Sequence, residues 1–255
     1  MLFDAHAHLN DDDLFPKAEA LRGEYLENGV GYVVNAGYDI PSSQRGKILS
    51  NTYPECFFTV GLHPHDSKLA DQTLYENIKD LASHPKCVAV GEIGLDYHYD
   101  LSPRDVQAKV FVSQLELAHA LKKPVVIHLR EAYGDFDKLI FDNKGYIQDG
   151  ILLHCYSGSA EQASNVYNKL DAYYSFGGAI TFAKNKGIVL SSIPKDRIML
   201  ETDCPYMTPV PFRGRENSPK YLPLVRDKMA ELLSLSSAEV EKMTTENSKR
   251  FYRIK

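Results

Sequence analysis

Short runs of apolar residues alternate with longer amphipathic stretches along the whole chain. The short runs are rich in Val, Ile, Leu, Tyr and Phe and are almost continuous, which is typical of parallel strands buried on both faces. The pattern predicts eight strands, namely Met1–Asp4, Gly31–Ala36, Phe57–Leu62, Cys87–Ile93, Pro124–Leu129, Gly150–His154, Ala172–Gly177 and Arg197–Glu201.

The stretches between these runs carry apolar residues at steps of three and four, as amphipathic helices do. The predicted helices are Leu14–Asn28, Ser42–Thr52, Thr73–His84, Pro103–Lys122, Ala132–Asn143, Ala160–Leu170, Phe182–Ser192, Leu222–Leu233 and Ala238–Phe251. Ser102 followed by Pro103 is a favourable helix start, with serine as the N-cap and proline in the first turn.

Eight strands that alternate with helices predict an α/β protein with a parallel sheet. Within 255 residues, eight such units favour one closed (β/α)8 barrel of the TIM type, so we expect residues 1–255 to form a single domain. The alternative is an open, doubly wound sheet. It is disfavoured because no GxGxxG fingerprint follows an early strand, and the segment Gly91–Gly94 is too short to supply one.

The composition excludes several classes of protein. Hydrophobic residues make up 44% and charged residues 25% of the chain, which excludes disordered and collagen-like sequences. No apolar run approaches the roughly 18 residues of a membrane span, and the acidic start has no signal-peptide pattern. The four cysteines are widely spaced, so we expect reduced thiols and a cytoplasmic protein. The net charge of −5 argues against a globally basic nucleic-acid binder.

Polar residues gather where the predicted strands end. Six of the nine histidines lie there, namely His6, His8, His63, His65, His128 and His154. Glu92 and Asp203 stand in equivalent places after the fourth and eighth runs. The carboxyl ends of barrel strands meet on one face, which is where barrel enzymes carry their catalytic residues. Two inward imidazoles at positions i and i+2 repel each other when charged, which favours a bound metal.

This set of donors exceeds one tetrahedral site. Four histidines and two carboxylates suit two adjacent divalent cations that share a carboxylate. Such pairs serve the hydrolysis of phosphate esters, and also of amides and lactones. The mixture of imidazole and carboxylate leaves Mg, Mn, Zn and Fe open as the metal.

Several motifs follow one another in a fixed order along the chain, namely Leu2–Asn10, Gly61–His65, Gly91–Tyr97, His128–Arg130, His154–Gly158, Glu201–Tyr206, Arg213–Pro219 and Thr244–Asn247. Together they resemble the TatD family of metal-dependent hydrolases, part of the amidohydrolase superfamily, some of whose members are DNases. The resemblance extends from Met1 to about Phe251. Glu131 and Tyr156 depart slightly from the family pattern, and neither is a ligand position.

The resemblance implies specific roles. His6, His8, Glu92 and Asp203 would bind one metal. Glu92, His128 and His154 would bind the second, with Glu92 as the bridge. Asp203 and Glu92 would be catalytic, and Asp203 would orient or deprotonate the attacking water. These residues are also the ones that the strand ends indicate without reference to the family.

A second group of residues is expected to contact substrate. It comprises His63, His65, Arg130, Arg213, Arg215 and Asn217, with Lys220 in the same basic segment. We expect Asp4 and Glu201 to orient histidine ligands, and Asp96 and Tyr97 to line the cleft. Lys184 and Lys186 are expected on the surface, and Cys155 and Cys204 in packing. His84, His98 and His119 fit no ligand set.

The favoured function is a two-metal deoxyribonuclease that acts exonucleolytically on DNA, as a monomer and away from membranes. The basic segment supplies the local positive charge that a DNA strand needs. The alternative is a metal-dependent hydrolase of a small ester, lactone, amide or aminoacyl-tRNA. A metal-bound but inactive binding protein is a third possibility, disfavoured because no ligand is missing.

Overall fold

The computed structural model describes residues 1–255. Eight strands form one parallel sheet in which each strand pairs with the next along the chain. The strands are β1 (Leu2–Ala7), β2 (Val30–Asn35), β3 (Cys56–Val60), β4 (Cys87–Asp96), β5 (Val125–Arg130), β6 (Ile151–Leu153), β7 (Tyr173–Phe176) and β8 (Ile198–Leu200).

Nine α-helices alternate with the strands or follow the last one. They are α1 (Ala18–Glu27), α2 (Ile40–Thr52), α3 (Gln72–Ala82), α4 (Arg104–Ala120), α5 (Tyr133–Asp142), α6 (Ala160–Leu170), α7 (Lys186–Ser191), α8 (Leu222–Leu233) and α9 (Ser237–Tyr252). No helix combines the length and the apolar character that crossing a membrane requires.

The sheet curls until its two edges meet. The Asp203 N–H donates to the His6 carbonyl at 2.9 Å, and the His8 N–H donates to the Cys204 carbonyl at 2.9 Å. These bonds join the chain after β8 to β1, so the sheet forms a nearly closed barrel. The predicted α/β barrel is therefore confirmed.

Several predicted boundaries were wrong. β1 continues to Ala7 and β4 to Asp96, so both strands carry polar residues that the apolar runs did not include. Helix α7 begins at Lys186, not at Phe182, because Asn185 adopts the left-handed conformation with φ of 61°. The N-cap of α4 is Pro103. The preceding Ser102 ties two loops together, since its hydroxyl donates to the His65 carbonyl at 2.7 Å.

The barrel has apolar packing on both sides of its wall. Residues such as Ile127, Leu153 and Leu200 face the surrounding helices. Val126, Leu152 and Met199 lie next to them in sequence and pack in a second cluster within the barrel. This alternation between two buried faces explains why the strands are continuously apolar. The end of α9 packs against the inner cluster, and the Tyr252 hydroxyl donates to the Ala5 carbonyl at 2.8 Å.

Gly94 permits the close approach of β4 and β5 beside the polar end of the barrel. It pairs with His128, and its φ is 145°, which L residues rarely adopt. A Cβ atom at this position would lie 2.0 Å from the His128 carbonyl oxygen. Only glycine therefore allows β4 to present Glu92 beside His128.

Candidate metal centre

The first group of candidate metal ligands, His6, His8 and Asp203, lies where β1 meets the chain after β8. The Nε2 atoms of His6 and His8 are 3.2 Å apart. The Asp203 Oδ1 atom lies 3.4 Å from His8 Nε2 and 3.9 Å from His6 Nε2. All three residues are buried, and their candidate ligand atoms lie within 4.8 Å of one another. Alternation along β1 and closure of the barrel bring them together.

Glu92, in the middle of β4, lies between this group and a second one, which is formed by His128 and His154. Its Oε2 atom is 3.4 Å from His6 Nε2 and 3.6 Å from His8 Nε2. Its Oε1 atom is 2.8 Å from His154 Nε2 and 2.9 Å from His128 Nδ1. One carboxylate therefore faces all four of the predicted histidine ligands.

His63, which was expected to contact substrate, lies close to the second group. Its Nε2 atom is 3.4 Å from Glu92 Oε1, and the ligand atoms of His63, Glu92 and His128 lie within 4.8 Å of one another. His65 is further out, with its Nε2 atom 3.1 Å from Asp96 Oδ2. Both histidines are only partly buried, so they border the open side of the cluster.

Asp96, expected only to line the cleft beyond the predicted end of the fourth strand, is an integral part of the cluster. Asp96 is the last residue of β4, is fully buried, and has its Oδ2 atom 2.9 Å from His128 Nε2. Both ring nitrogens of His128 thus contact carboxylates, one on Glu92 and one on Asp96. The signal was present in the spacing, because residues four apart on a strand share a face.

Burial and charge set the protonation of the cluster. Burial raises the pKa of a carboxyl group, but the surrounding histidines outweigh it at Glu92 and hold that pKa well below its usual range. Burial lowers the pKa of His6 to about 4, aided by His154, and that of His63 to about 4, aided by His128. At His128 burial also lowers the pKa, but hydrogen bonds with Asp96 and Glu92 prevail and raise it to about 9.

These residues fit a divalent cation. An ionised carboxylate surrounded by imidazoles, two of which are neutral at pH 7, is a set of donors that divalent metals bind. The buried Nδ1 atom of His154 has no hydrogen-bond partner and lies 3.9 Å from Glu201 Oε2.

Asp4 and Glu201 do not orient histidine rings by hydrogen bonds as expected. Asp4 accepts from the Thr202 N–H at 2.9 Å and from the Thr202 hydroxyl at 2.5 Å, so it holds the chain just before Asp203. Glu201 accepts from the Cys155 N–H at 2.6 Å and from the Ser175 hydroxyl at 2.5 Å. Both carboxylates therefore fix the backbone beside a predicted ligand.

Three arginines were expected to contact substrate. They lie in the segments that surround the cluster at the polar end of the barrel, here called the rim, and each stacks on an aromatic ring. The Arg130 guanidinium is 4.9 Å from the centre of the Tyr99 ring. Arg213 lies 3.9 Å from the Phe182 ring centre, and Arg215 lies 5.4 Å from that of Phe212. Arg213 and Arg215 are exposed. Stacking of this kind orients the cations while it leaves their charge in place.

Two other residues of the basic segment are already engaged. Asn217 is buried, and its Nδ2 atom donates to the carbonyls of Thr202 at 2.8 Å and Tyr206 at 2.6 Å. Its Oδ1 atom accepts from the Ser218 N–H at 2.9 Å. We therefore replace the expected substrate contact of Asn217 with a role in holding the loop after β8. Lys220 pairs with a carboxylate on α1, 2.8 Å away.

Lys186 was wrongly placed on the surface. It is buried at the start of α7, and its ammonium group donates to the Tyr156 carbonyl at 3.0 Å. His84, His98 and His119 lie outside the cluster, as expected, since no candidate metal-ligand group includes them. The four cysteines are free thiols.

Comparison with known proteins agrees with the fold and the motifs. The sequence model of the family described as TatD related DNase matches residues 3–253. An uncharacterized metal-dependent hydrolase, YabD from Bacillus subtilis, is 41% identical over 260 residues, covering 100% of both chains. The 3'-5' ssDNA/RNA exonuclease TatD from Escherichia fergusonii is 30% identical, covering 99% of each chain.

The crystal structure of YjjV, a TatD homologue from Escherichia coli K12, superposes with a TM-score of 0.92 at 27% identity, covering 100% of this chain and 98% of that one. The similarity thus includes every strand that contributes to the cluster. The chain therefore belongs to the TatD-related DNase family and is a hydrolase of that family.

Proposed function

We propose that this protein is a two-metal phosphodiesterase that removes nucleotides from the ends of single-stranded DNA. The observation that carries the proposal is the arrangement around Glu92, whose two carboxylate oxygens face different histidine groups at 2.8–3.6 Å. A carboxylate that faces both groups suits a bridge between two cations.

We propose the ligands accordingly. His6, His8, Glu92 and Asp203 hold one divalent cation, and Glu92, His128 and His154 hold the other. Mg, Mn and Zn all suit these donors. His63 stands within reach of the second set, and we assign it to the substrate phosphate with His65. Asp96 fixes the His128 ring by its contact with Nε2.

The cations, when bound, supply Lewis-acid polarisation of the phosphate and make water more acidic. Asp203 is the proposed base. Its side chain is 12% exposed, against 4% for Glu92, so it faces the open side of the cluster. Burial raises its pKa, but the hydrogen bond from His8 and the charges of the histidines lower it below its usual value. Asp203 therefore stays ionised and accepts a proton from the attacking water.

The rim and the relatives support a nucleic-acid substrate. Arg130, Arg213 and Arg215 lie on the rim as oriented cations, and phosphates are their natural partners. The relative from Escherichia fergusonii is named a 3'-5' ssDNA/RNA exonuclease, and we propose the same polarity here. We further propose a cytoplasmic monomer comprising one domain; the absence of a disulfide among its four cysteines is consistent with that compartment.

The test uses DNA labelled at one end. The metal-loaded enzyme should shorten a 5'-labelled single strand stepwise from its 3' end and should leave a circular single strand intact. EDTA should abolish the reaction, and Mg, Mn or Zn should restore it. The same enzyme should be assayed on RNA, duplex DNA, a lactone and an aminoacyl-tRNA.

Three results contradict the proposal in different ways. Cleavage of the circle indicates an endonuclease. Release from the 5' end reverses the polarity. Hydrolysis of the lactone or the aminoacyl ester without any cleavage of DNA returns the protein to the small-substrate class of hydrolase.

A further inference from the structure

Most of the exposed apolar side chains lie in segments on the end of the barrel that carries the candidate metal centre. Ten large hydrophobic residues are exposed, and six of them lie in segments that follow a strand on the polar end of the barrel. These six are Leu69, Tyr99, Leu101, Phe182, Tyr206 and Val210. An apolar rim around a hydrolytic cleft indicates a substrate that is itself partly apolar.

Tyr99 borders the second histidine group. Its N–H donates to Asp96 Oδ1 at 2.8 Å, which anchors it to the aspartate that also contacts His128. Its ring centre is 5.3 Å from that of His65 at an angle of 86°, and Arg130 lies 4.9 Å away. Tyr99 nevertheless remains 55% exposed. The ring is thus oriented by its neighbours while much of its surface faces solvent.

Tyr206 holds the corresponding position beside the first group. Its N–H donates to the Asp203 carbonyl at 2.9 Å, and its own carbonyl accepts from Asn217 at 2.6 Å. Its ring centre is 6.1 Å from that of His8 at an angle of 71°, and the residue is 57% exposed. One exposed tyrosine therefore lies beside His8, a proposed ligand of the first cation, and the other lies beside His65 and is hydrogen-bonded to Asp96, which contacts His128.

We propose that Tyr99 and Tyr206 are positioning residues that stack two unpaired nucleobases, one on each side of the phosphate being cleaved. This inference rests on the proposed function and specifies how the strand is bound. Every nucleobase has a flat face, so stacking tolerates any sequence. In a duplex those faces are covered by neighbouring base pairs, so this grip selects single strands and frayed ends.

The charges around the tyrosines fit this occupant. Arg130 lies against Tyr99, and Arg213 lies against Phe182, so cations accompany the aromatic rings of the rim. A nucleic acid strand presents apolar bases and anionic phosphates in alternation. An apolar ligand without negative charge would leave these guanidinium groups without a counter-ion.

The experiment removes the aromatic ring of each tyrosine by substitution with leucine, and separately removes the base from the substrate by use of an abasic strand. In a metal-loaded digestion of oligothymidylate, Tyr99→Leu and Tyr206→Leu should each raise KM by roughly 5- to 150-fold, the range of one lost stack, with kcat changed little. A strand with abasic sites at its last two 3' positions loses both stacks, so its KM with the wild-type enzyme should rise by about the product of the two single-variant effects. On that strand the leucine variants should cause no additional loss.

Matched variants separate stacking from folding. Tyr99→Phe and Tyr206→Phe keep the ring and should retain the wild-type KM. Tyr75→Leu makes the same change on α3, outside the rim, and should leave KM unchanged. Melting temperature and metal content of each variant report damage to the fold or the centre. The abasic strand tests stacking on the unaltered enzyme, even where a leucine variant fails to fold.

Three results contradict the inference or the function on which it rests, and they are distinguishable. If the wild type digests intact and abasic strands with equal KM, the bases are not stacked, while the exonuclease assignment stands. If the wild type digests neither DNA nor RNA under any metal, the proposed function itself fails. A loss in the leucine variants that persists on abasic strands shows a role in supporting the centre and also overturns the stacking.

Discussion

Two layers of side chains fill the barrel, and they differ in chemistry although they share the same strands. The inner apolar cluster contains Val126, Leu152, Tyr173 and Met199. Two residues further along each strand comes a polar side chain. The pairs are Val126 with His128, Leu152 with His154, Tyr173 with Ser175, and Met199 with Glu201. Residues i and i+2 share a face of a strand and lie about 6.6 Å apart.

The difference between the layers teaches where stability and chemistry reside. The apolar layer favours folding because its side chains are removed from contact with water when the chain folds. The polar layer opposes folding unless its buried groups find partners. Here the partners are the other members of the layer, such as Glu92 with His154 and Glu201 with Ser175. Changes in one layer should therefore affect stability, and changes in the other should affect activity.

The largest effect is expected in the polar layer. Asp203→Asn should lower the turnover number by about 10²- to 10⁴-fold, the range for loss of a general base, because an amide cannot take up the proton. The free energy of unfolding should stay near that of the wild type, which urea titration checks. Asp105→Asn on the exposed side of α4 is the matched control and should keep full activity. A normal turnover number in the Asp203 variant would show that Asp203 is not the general base.

The converse change is made in the apolar layer, at Met199, two residues before Glu201 in the sequence. Met199→Ala should lower the free energy of unfolding by about 2–5 kcal/mol, because truncation leaves a cavity in a fully buried site. Its turnover number should match that of the wild type at a temperature where both are folded. Met243→Ala, at a partly buried position of α9, should cost less stability. A large loss of turnover in folded Met199→Ala protein would show that the two layers are mechanically coupled.

Metal binding sharpens the same contrast. Loading with Mn or Zn should give two ions per chain, and saturating metal at about 100 times Kd should stabilise the fold by about 2.7 kcal/mol per site. His128→Ala should reduce the count to one ion, whereas Val126→Ala should leave it at two. Metal analysis and thermal melts provide both measurements. A wild type that saturates at one ion, with no change in His128→Ala, would contradict the two-metal site.

The smallest effect is expected on the rim, outside both layers. Neutralising Arg213 and Arg215 together to Gln should raise KM on single-stranded DNA and flatten its salt dependence by about 0.7 log unit per lost phosphate contact. Hydrolysis of bis-p-nitrophenyl phosphate should change less, because this small ester need not reach the rim. An equal loss on both substrates would indicate that the arginines support the loop or act at the reacting phosphate.

The architecture was predictable because it depends on a local signal. Strands buried on both faces need continuous apolar runs, and eight such runs are visible in the sequence. The barrel and the family assignment are confirmed. The strand ends were less predictable, because the apolar signal stops where β1 and β4 continue as strands that carry polar side chains. His6 and Asp96 therefore fell outside the predicted strands, although β1 includes His6 and β4 includes Asp96.

Other errors arose from contacts between distant parts of the chain. Asn217 looked like a polar loop residue, but the fold surrounds it with carbonyl groups that take both of its amide hydrogens. Lys186 looked like a surface lysine, but the loop after β6 covers it and accepts its hydrogen bond. A sequence shows that such side chains can form hydrogen bonds, but it does not show which partner lies within 3 Å.

The sequence by itself determined the order of the elements and the position of polar residues at the strand ends, because periodicity and spacing are properties of neighbouring residues. Only the tertiary structure decided which of those residues face one another. Glu92 contacts His154 across a separation of 62 residues, and Asp203 reaches His8 only because the barrel closes. The protonation of the centre also depends on closure, because burial and nearby charges, not residue type alone, set the pKa of each group.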